Sequence, residues 1–253
     1  MKKEIIICIY KQLTIPLYAG LENESMVLYS IGHSNQSFTE FAEMLQSQQI
    51  NVIVDVRSVP ASKYTPQFNK EPLQHALRNI GITYLSFAEE FGARRTDALD
   101  ENNNVDFEKA VKTDAFQRGV NRVMNGLSKG FRISLMCSEA NPLECHRFAM
   151  VSRYFYEHGV DVQHIVRQKG DVQEPIITVD HKTLQDEMIA EYIRKKKIPA
   201  VCPPDIFGEN EVTPQQQIVM AYRQKNKEIA ILSNIVLPHI INVQRDASRH
   251  PLY

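Results

Sequence analysis

The chain has 253 residues, of which 43% are hydrophobic and 23% are charged, as in globular proteins and unlike disordered, collagen-like or coiled-coil chains. Lys and Arg number 29 against 30 Asp and Glu, for a formal net charge of -1, which argues against binding nucleic acid or membranes through bulk charge. No apolar stretch approaches the length of a membrane span, and the four cysteines are irregularly spaced. We therefore expect no membrane partner and a reducing, cytoplasmic location.

The first 25 residues show neither a helical nor a strand period, and we expect them to form an N-terminal extension outside the core. From residue 26 onward, strand-like apolar runs alternate with stretches that are apolar at helical spacing. The predicted strands are 27–31, 50–56, 82–85, 131–136 and 160–166, and the predicted helices cover about 38–45, 73–80, 114–127 and 142–157. This alternation predicts a single α/β domain over 26–231, with a mostly parallel, Rossmann-like sheet of five strands flanked by helices.

The pattern changes after residue 167. The apolar run 176–179 precedes a stretch with Leu184 and Met188 at helical spacing. Thr213 and Pro214 are typical of a helix start, because threonine caps a helix and proline fits its first position. We therefore expect a C-terminal helical extension of the domain, with a helix that runs to about residue 228, and a tail over 232–253.

Residues with chemically useful side chains follow four of the predicted strands and lie near the start of the fourth helix. Ligands of parallel α/β sheets bind beyond the carboxyl ends of the strands, so we expect these residues to share one edge. Arginines suit an anionic group, and we expect a small anionic substrate or a nucleotide; nucleic acid is a less favoured partner because of the net charge. We predict Cys137, His33, Asp55, Glu139, Cys145 and His146 as catalytic residues and Ser34, Asn35, Arg57, Ser58, Arg94 and Arg147 as substrate-binding residues.

The segment 137–147 contains the densest set of these residues. Asn141 is a good helix cap and Pro142 a good first helical residue, which would place Cys145 in the first turn. The helix dipole there, with His146 and Arg147 nearby, favours a thiolate. A buried and inert cysteine is the alternative, because free cysteines are among the most buried residues.

A metal site is a second interpretation of the same region. Cys137, Cys145, His146 and His33 are ligands that zinc accepts. However, no pair has Cys-x-x-Cys spacing, and adjacent residues 145 and 146 on a helix would point in different directions. We therefore assign no metal ligand and leave the cofactor open. The glycine-rich and serine motifs of nucleotide-cofactor enzymes and serine hydrolases are absent from the sequence.

Several segments resemble the family catalogued as domain of unknown function 488. They are Ser-Ile-Gly-His-Ser-Asn at 30–35, Asp-Val-Arg-Ser-Val-Pro-Ala-Ser at 55–62, Gly-Ile-Thr-Tyr at 81–84, Leu-Met-Cys-Ser-Glu at 135–139, Cys-His-Arg at 145–147 and a closing helix at 221–229. The chain departs from the family at 91–93, Phe-Gly-Ala, where the family tends to have two adjacent glycines. The resemblance covers about residues 26–231 and implies an α/β fold with a site built from these motifs, without implying a reaction.

Three functions are compatible with these residues. The first is an enzyme in which Cys137 or Cys145 is a thiolate nucleophile and His33 or His146 transfers the proton, with Asp55 orienting a histidine. The second is a module that binds a small anionic ligand or nucleic acid without turnover. The third is a metal-dependent hydrolase with cysteine and histidine ligands. A thiol within reach of a histidine favours the first function, and three ligands that converge on one point favour the third.

Overall fold

The computed structural model describes residues 26–168, 175–204 and 211–247, with side chains up to residue 230. The predicted extension over 1–25 and residues 248–253 of the predicted tail lie outside these ranges. The last helix continues to Ala247, well beyond the end predicted near residue 228. Among the described residues, no helix is long and apolar enough to cross a bilayer.

One sheet contains all six strands of the described chain: β1 (Val27–Gly32), β2 (Val52–Asp55), β3 (Thr83–Ser86), β4 (Ile133–Cys137), β5 (Asp161–Arg167) and β6 (Ile176–Asp180). Their order is β3-β2-β4-β1-β5-β6. The five predicted strands are confirmed and are parallel to one another. The sixth, β6, extends the expected five-stranded sheet and pairs antiparallel with β5. The strands β2 and β4 are buried along their whole length, as expected for strands covered on both faces.

The helices cover the two faces of the sheet. They are α1 (Phe38–Ser47), α2 (Lys70–Asn79), α3 (Ala88–Phe91), α4 (Phe107–Ala110), α5 (Asp114–Ser128), α6 (Arg153–Glu157), α7 (His181–Arg194) and α8 (Pro214–Ala247), with 3₁₀ turns at Pro66–Phe68 and Pro142–Glu144 and a π-helix at Arg147–Ser152. Helices α1 and α2 contribute to one apolar cluster, and α5, the π-helix, α6, α7 and α8 contribute to the other. The chain therefore leaves β1 toward one face and leaves the neighbouring β4 toward the other face. Such a point is where α/β sheets bind ligands.

The predicted helix over 142–157 is wrong in its first part. Asn141 caps as expected, since its Oδ1 accepts from the backbone N–H of Leu143 at 3.0 Å, but it caps only the single 3₁₀ turn Pro142–Glu144. Cys145 follows with extended backbone, φ -128° and ψ 143°, and helical structure resumes at Arg147. The cysteine is therefore not in the first turn of a helix but between two helical segments.

Candidate functional site

Three strands end at the same edge of the sheet. Gly32 of β1 is paired with Cys137 of β4, and the N–H of His33 donates to the Cys137 carbonyl at 3.0 Å. Beyond β2, the N–H of Val56 donates to the Met136 carbonyl at 3.0 Å. The residues that follow β1, β2 and β4 therefore meet at one edge.

Asp55, Arg57 and His33 form a closed network at this edge. The Asp55 carboxylate accepts from Arg57 Nε at 2.9 Å and Nη2 at 2.6 Å and from the Tyr84 hydroxyl at 2.7 Å. Arg57 also donates to the Phe68 carbonyl at 2.9 Å and, through Nη1, to His33 Nε2 at 3.0 Å. Burial, together with the Arg57 charge, lowers the pKa of His33 to about 4. These buried groups face one another and tie the loop that ends at Phe68 to the sheet.

A second cluster lies beside this network and contains both cysteines predicted for the site. His146 Nδ1 is 3.7 Å from Cys137 Sγ and 3.8 Å from Cys145 Sγ, and the three atoms all lie within 4.8 Å of one another. All three residues are buried. Glu139 Oε2 lies 3.2 Å from Cys137 Sγ; the residue as a whole is exposed, although its carboxyl group is largely buried. The cluster therefore has two thiols and an imidazole inside and a carboxylate on its solvent side.

The break in the helix at Cys145 makes this cluster possible. Because its backbone is extended, the side chains of Cys145 and His146 both turn toward Cys137, contrary to the divergence expected of helical neighbours. His146 Nε2 donates to the Val56 carbonyl at 3.0 Å, so its Nδ1 faces the two sulfurs. The sequence argued against a metal site because Cys145 and His146 are adjacent. In the structure their side chains point toward the same place, so this argument does not apply.

The side chains of the cluster lie so close together that they shift one another's pKa values. Burial raises the pKa of Cys145, but the hydrogen bond with Cys137 and the charges of Arg147 and His146 outweigh it and hold that pKa well below its ordinary value. The pKa of Cys137 is raised by the same hydrogen bond and by burial. Burial opposes a charge on His146, yet the neighbouring Cys145 raises the pKa of His146. Burial of its carboxyl group and the nearby Cys145 raise the pKa of Glu139.

The predicted substrate-binding residues fall into two groups. Arg57 and Arg147 are buried, whereas Ser34, Asn35, Ser58 and Arg94 lie wholly or partly at the surface. Ser34 has a left-handed backbone, φ 49°, which is uncommon outside glycine and often marks functional loops. Ser58 Oγ accepts from the Arg94 N–H at 2.9 Å. Within the described chain the Arg94 guanidinium has no hydrogen bond or ion pair.

Two other surface pockets, each of about 540 Å³, lie elsewhere. One is between α7 and α8, and the other is between α8 and the segment 100–108. No predicted site residue lines either pocket.

Sequence reasoning missed a chain of buried polar groups on the other side of β1. Ser30 Oγ lies 2.6 Å from His164 Nδ1, His164 Nε2 lies 3.1 Å from His181 Nδ1, and His181 Nε2 lies 2.9 Å from the Tyr222 hydroxyl. The hydroxyl donates to Gln185 Oε1 at 3.2 Å. The groups come from β1, β5, α7 and α8, so no local pattern relates them. The one signal in the sequence was a histidine inside a predicted strand.

Residues 37–154 match the family model described as Domain of unknown function DUF488. No curated protein and no solved structure matches the chain. The matched range contains Asp55, Arg57 and every member of the cysteine cluster, and it begins just after the loop of residues 33–35. The resemblance inferred from the motifs is thereby confirmed for this range.

Proposed function

We propose, starting from the DUF488 domain over residues 37–154, that the protein is a zinc-dependent hydrolase with Cys137, Cys145 and His146 as metal ligands. One observation carries the proposal: two sulfurs and one imidazole nitrogen lie within 4.8 Å of one another in a buried site. Among the described residues, no other group of three such side chains converges in this way. Metal-dependent hydrolysis was the third of the functions compatible with the sequence, and this convergence moves it to first place.

The distances between the ligand atoms agree with a tetrahedral zinc site. Zinc–sulfur bonds of about 2.3 Å and zinc–nitrogen bonds of about 2.0–2.1 Å give edges of about 3.5–3.8 Å in a tetrahedron. The two sulfur–nitrogen distances here are 3.7 and 3.8 Å. A metal ion therefore fits among the three atoms with little rearrangement.

The chemistry of the ligands favours zinc. Thiolates and imidazole select zinc over magnesium or calcium, which prefer oxygen ligands. Zinc-binding histidines commonly donate their second ring N–H to a carbonyl, which fixes the ring and its tautomer. His146 does this through its contact with the Val56 carbonyl.

Three protein ligands with a carboxylate beside them are typical of catalytic zinc sites rather than structural ones. A bound zinc ion activates water for hydrolysis at neutral pH. Glu139, on the solvent side at 3.2 Å from Cys137 Sγ, would accept a proton from a water molecule at that face. Arg94, whose guanidinium is unpaired within the described chain, would contact one anionic group of a small substrate. Ser34, Asn35 and Ser58 would contribute further hydrogen bonds.

The first test is the metal content of the purified full-length chain. Elemental mass spectrometry should find one zinc ion per chain in the wild type and in Cys202→Ser, and none in Cys145→Ser or His146→Ala. Glu139→Gln should retain the metal and lose hydrolysis of a panel of small phosphomonoesters, phosphodiesters and carboxylate esters. Wild-type protein without zinc after purification in zinc-supplemented buffer would overturn the proposal.

A thiol-dependent enzyme remains the second candidate because the same atoms could act without metal. Cys145 Sγ is 3.8 Å from His146 Nδ1 and accepts from the Arg147 N–H at 3.4 Å. This candidate requires metal-free protein that is fully active and is inactivated by iodoacetamide. Zinc-loaded protein that binds small anions without turnover would instead favour the binding module.

A further inference from the structure

Arg147 is fully buried, at 0% exposure, and it has no carboxylate partner among the described residues. Its Nη1 donates to the Glu139 carbonyl at 2.6 Å and its Nη2 to the Ala140 carbonyl at 3.1 Å. Its Nε has no hydrogen-bond partner in the described part of the chain. A guanidinium stays charged in proteins, so its burial costs free energy unless negative charge lies nearby.

Among the groups near Arg147, the cysteine cluster is the source of negative charge that can offset its guanidinium. Asp55 is already paired with Arg57 at 2.6 Å. His33 and His164 are buried, close enough for the Arg147 charge to lower their pKa values, and supply no negative charge. The backbone N–H of Arg147, by contrast, donates to Cys145 Sγ at 3.4 Å.

We propose that Arg147 is a positioning residue of the zinc site: its charge balances the anionic ligand set, and its two carbonyl contacts hold the loop that brings Glu139 to Cys137. This inference rests on the proposed zinc site. Two thiolates and the Glu139 carboxylate around a divalent zinc ion leave one negative charge, and the Arg147 guanidinium supplies one positive charge. The zinc ion, its two thiolates, Glu139 and Arg147 are then neutral as a whole.

The position of the loop at residues 139–140 also depends on Gly32, which has no side chain. A Cβ on Gly32 would lie 1.8 Å from the Glu139 carbonyl oxygen, the same oxygen that accepts from Arg147 Nη1. Only glycine at position 32 therefore leaves room for the Glu139 carbonyl group where the loop crosses the end of β1. As a result, Gly32→Ala displaces the loop while the Arg147 charge is kept, whereas Arg147→Lys keeps the charge and leaves the Gly32 side of the loop unchanged.

The test measures zinc affinity of the full-length chain by competition with a chromophoric chelator. Arg147→Met removes the charge and should weaken zinc binding about 10- to 100-fold, the usual effect of losing a group that supports metal ligands. Arg147→Lys keeps the charge but not the fork of two donors, and should recover most of the affinity. Arg95→Met is the matched control, since Arg95 is also buried but pairs with Asp97 outside the cluster, and it should bind zinc like the wild type.

Replacing zinc by cobalt distinguishes the effect of the Arg147 charge from a change in the geometry of the metal site. Arg147→Lys should keep the wild-type absorption spectrum of tetrahedral thiolate-bound cobalt, whereas Gly32→Ala should alter it because the loop must move. Wild-type affinity in Arg147→Met, or equal losses in the Met and Lys variants, would overturn the role of the charge. If Arg147→Met does not fold, the Lys variant decides, because a loss of zinc affinity of about 10- to 100-fold in Arg147→Lys would contradict the proposal. Failure of the wild type to bind zinc would overturn the proposed function instead.

Discussion

Two buried polar clusters flank β1, and they differ in how far their hydrogen bonds are satisfied. In the chain from Ser30 to Gln185, each donor meets an acceptor. The Tyr222 hydroxyl donates to Gln185 and accepts from His181 Nε2, so neutral His181 accepts at Nδ1 from His164 Nε2. His164 then accepts at Nδ1 from the Ser30 hydroxyl. These hydrogen bonds are all made between protein groups, and no ligand is needed to complete them.

The cysteine cluster does not close in this way. His146 Nδ1 and the sulfurs of Cys137 and Cys145 all face one another, and the Nε of the nearby Arg147 has no hydrogen-bond partner in the described part of the chain. Buried polar groups are normally paired, and exceptions call for an explanation such as a missing ion. The comparison separates a hydrogen-bond chain that needs only protein groups from a cluster in which the proposed zinc ion would complete the pairing.

The largest expected effect is the loss of zinc when a ligand is removed. Cys145→Ala should bind no zinc and should lose the stabilisation that zinc gives the wild type, which is about 4 kcal/mol in the free energy of unfolding at 1,000 times the Kd. Urea unfolding with and without zinc measures this difference. Cys202→Ala is the control, because that cysteine is not part of the cluster. Equal stabilisation in both variants would remove the distinction between the two clusters.

The buried hydrogen-bond chain that contains His164 and His181 should make the stability of the protein depend on pH. Burial lowers the pKa of His181 to about 3 and, with His181 nearby, holds the pKa of His164 well below its ordinary value. In the unfolded chain both take up protons near pH 6.5, so the unfolded state binds more protons below that pH. The contribution of these two histidines to the free energy of unfolding should be steady above pH 6.5 and fall by up to about 1.4 kcal/mol per pH unit for each histidine below it.

Urea unfolding between pH 7.5 and 5, with a chelator present so that metal binding does not contribute, measures this slope. His181→Gln should reduce the slope by the contribution of one histidine, and His75→Gln, at an exposed position, should leave it unchanged. The same slope in the wild type and in His181→Gln would show that the chain does not control the acid response.

A smaller effect is expected from Tyr222→Phe. The variant leaves His181 without an acceptor and Gln185 without a donor in a buried site, which should cost about 1–3 kcal/mol of stability. Zinc affinity should not change, because the clusters are separate networks. Tyr64→Phe, at an exposed position, is the control for losing a tyrosine hydroxyl. A zinc affinity that falls with Tyr222→Phe would show that the clusters are coupled, for instance through Phe148, which packs on His181 with ring centroids 4.6 Å apart.

The smallest effect on stability is expected from Arg94→Ala. Its guanidinium is unpaired within the described chain, so the free energy of unfolding and the zinc affinity should stay at wild-type values. If Arg94 binds an anionic group of the substrate in the ground and transition states alike, KM should rise while kcat is unchanged. Steady-state kinetics on any substrate found in the hydrolysis panel tests this, with exposed Arg118→Ala as the control. Unchanged KM would remove Arg94 from the substrate site.

Much of the fold and the position of the site follow from local patterns in the sequence. Periodicity predicted five strands because it reports which face of each element is buried, and the alternation of strands with helices predicted their parallel arrangement. The Ser37–Glu40 capping box is present as the start of α1. Since parallel strands share their carboxyl edge, the residues after β1, β2 and β4 could be placed together without knowing the strand order.

Tertiary structure decided what local patterns cannot report. Asn141 and Pro142 predicted a continuous helix, but the contacts of His146 with Val56 and of Arg147 with Glu139 and Ala140 come from distant or folded-back segments, and the helix is broken at Cys145. The pairing of Ser30 with His164 spans 134 positions and depends on β5 lying beside β1. Local propensity is weaker than the need to pair buried polar groups, and which groups meet is set by strand order, which the sequence alone did not determine.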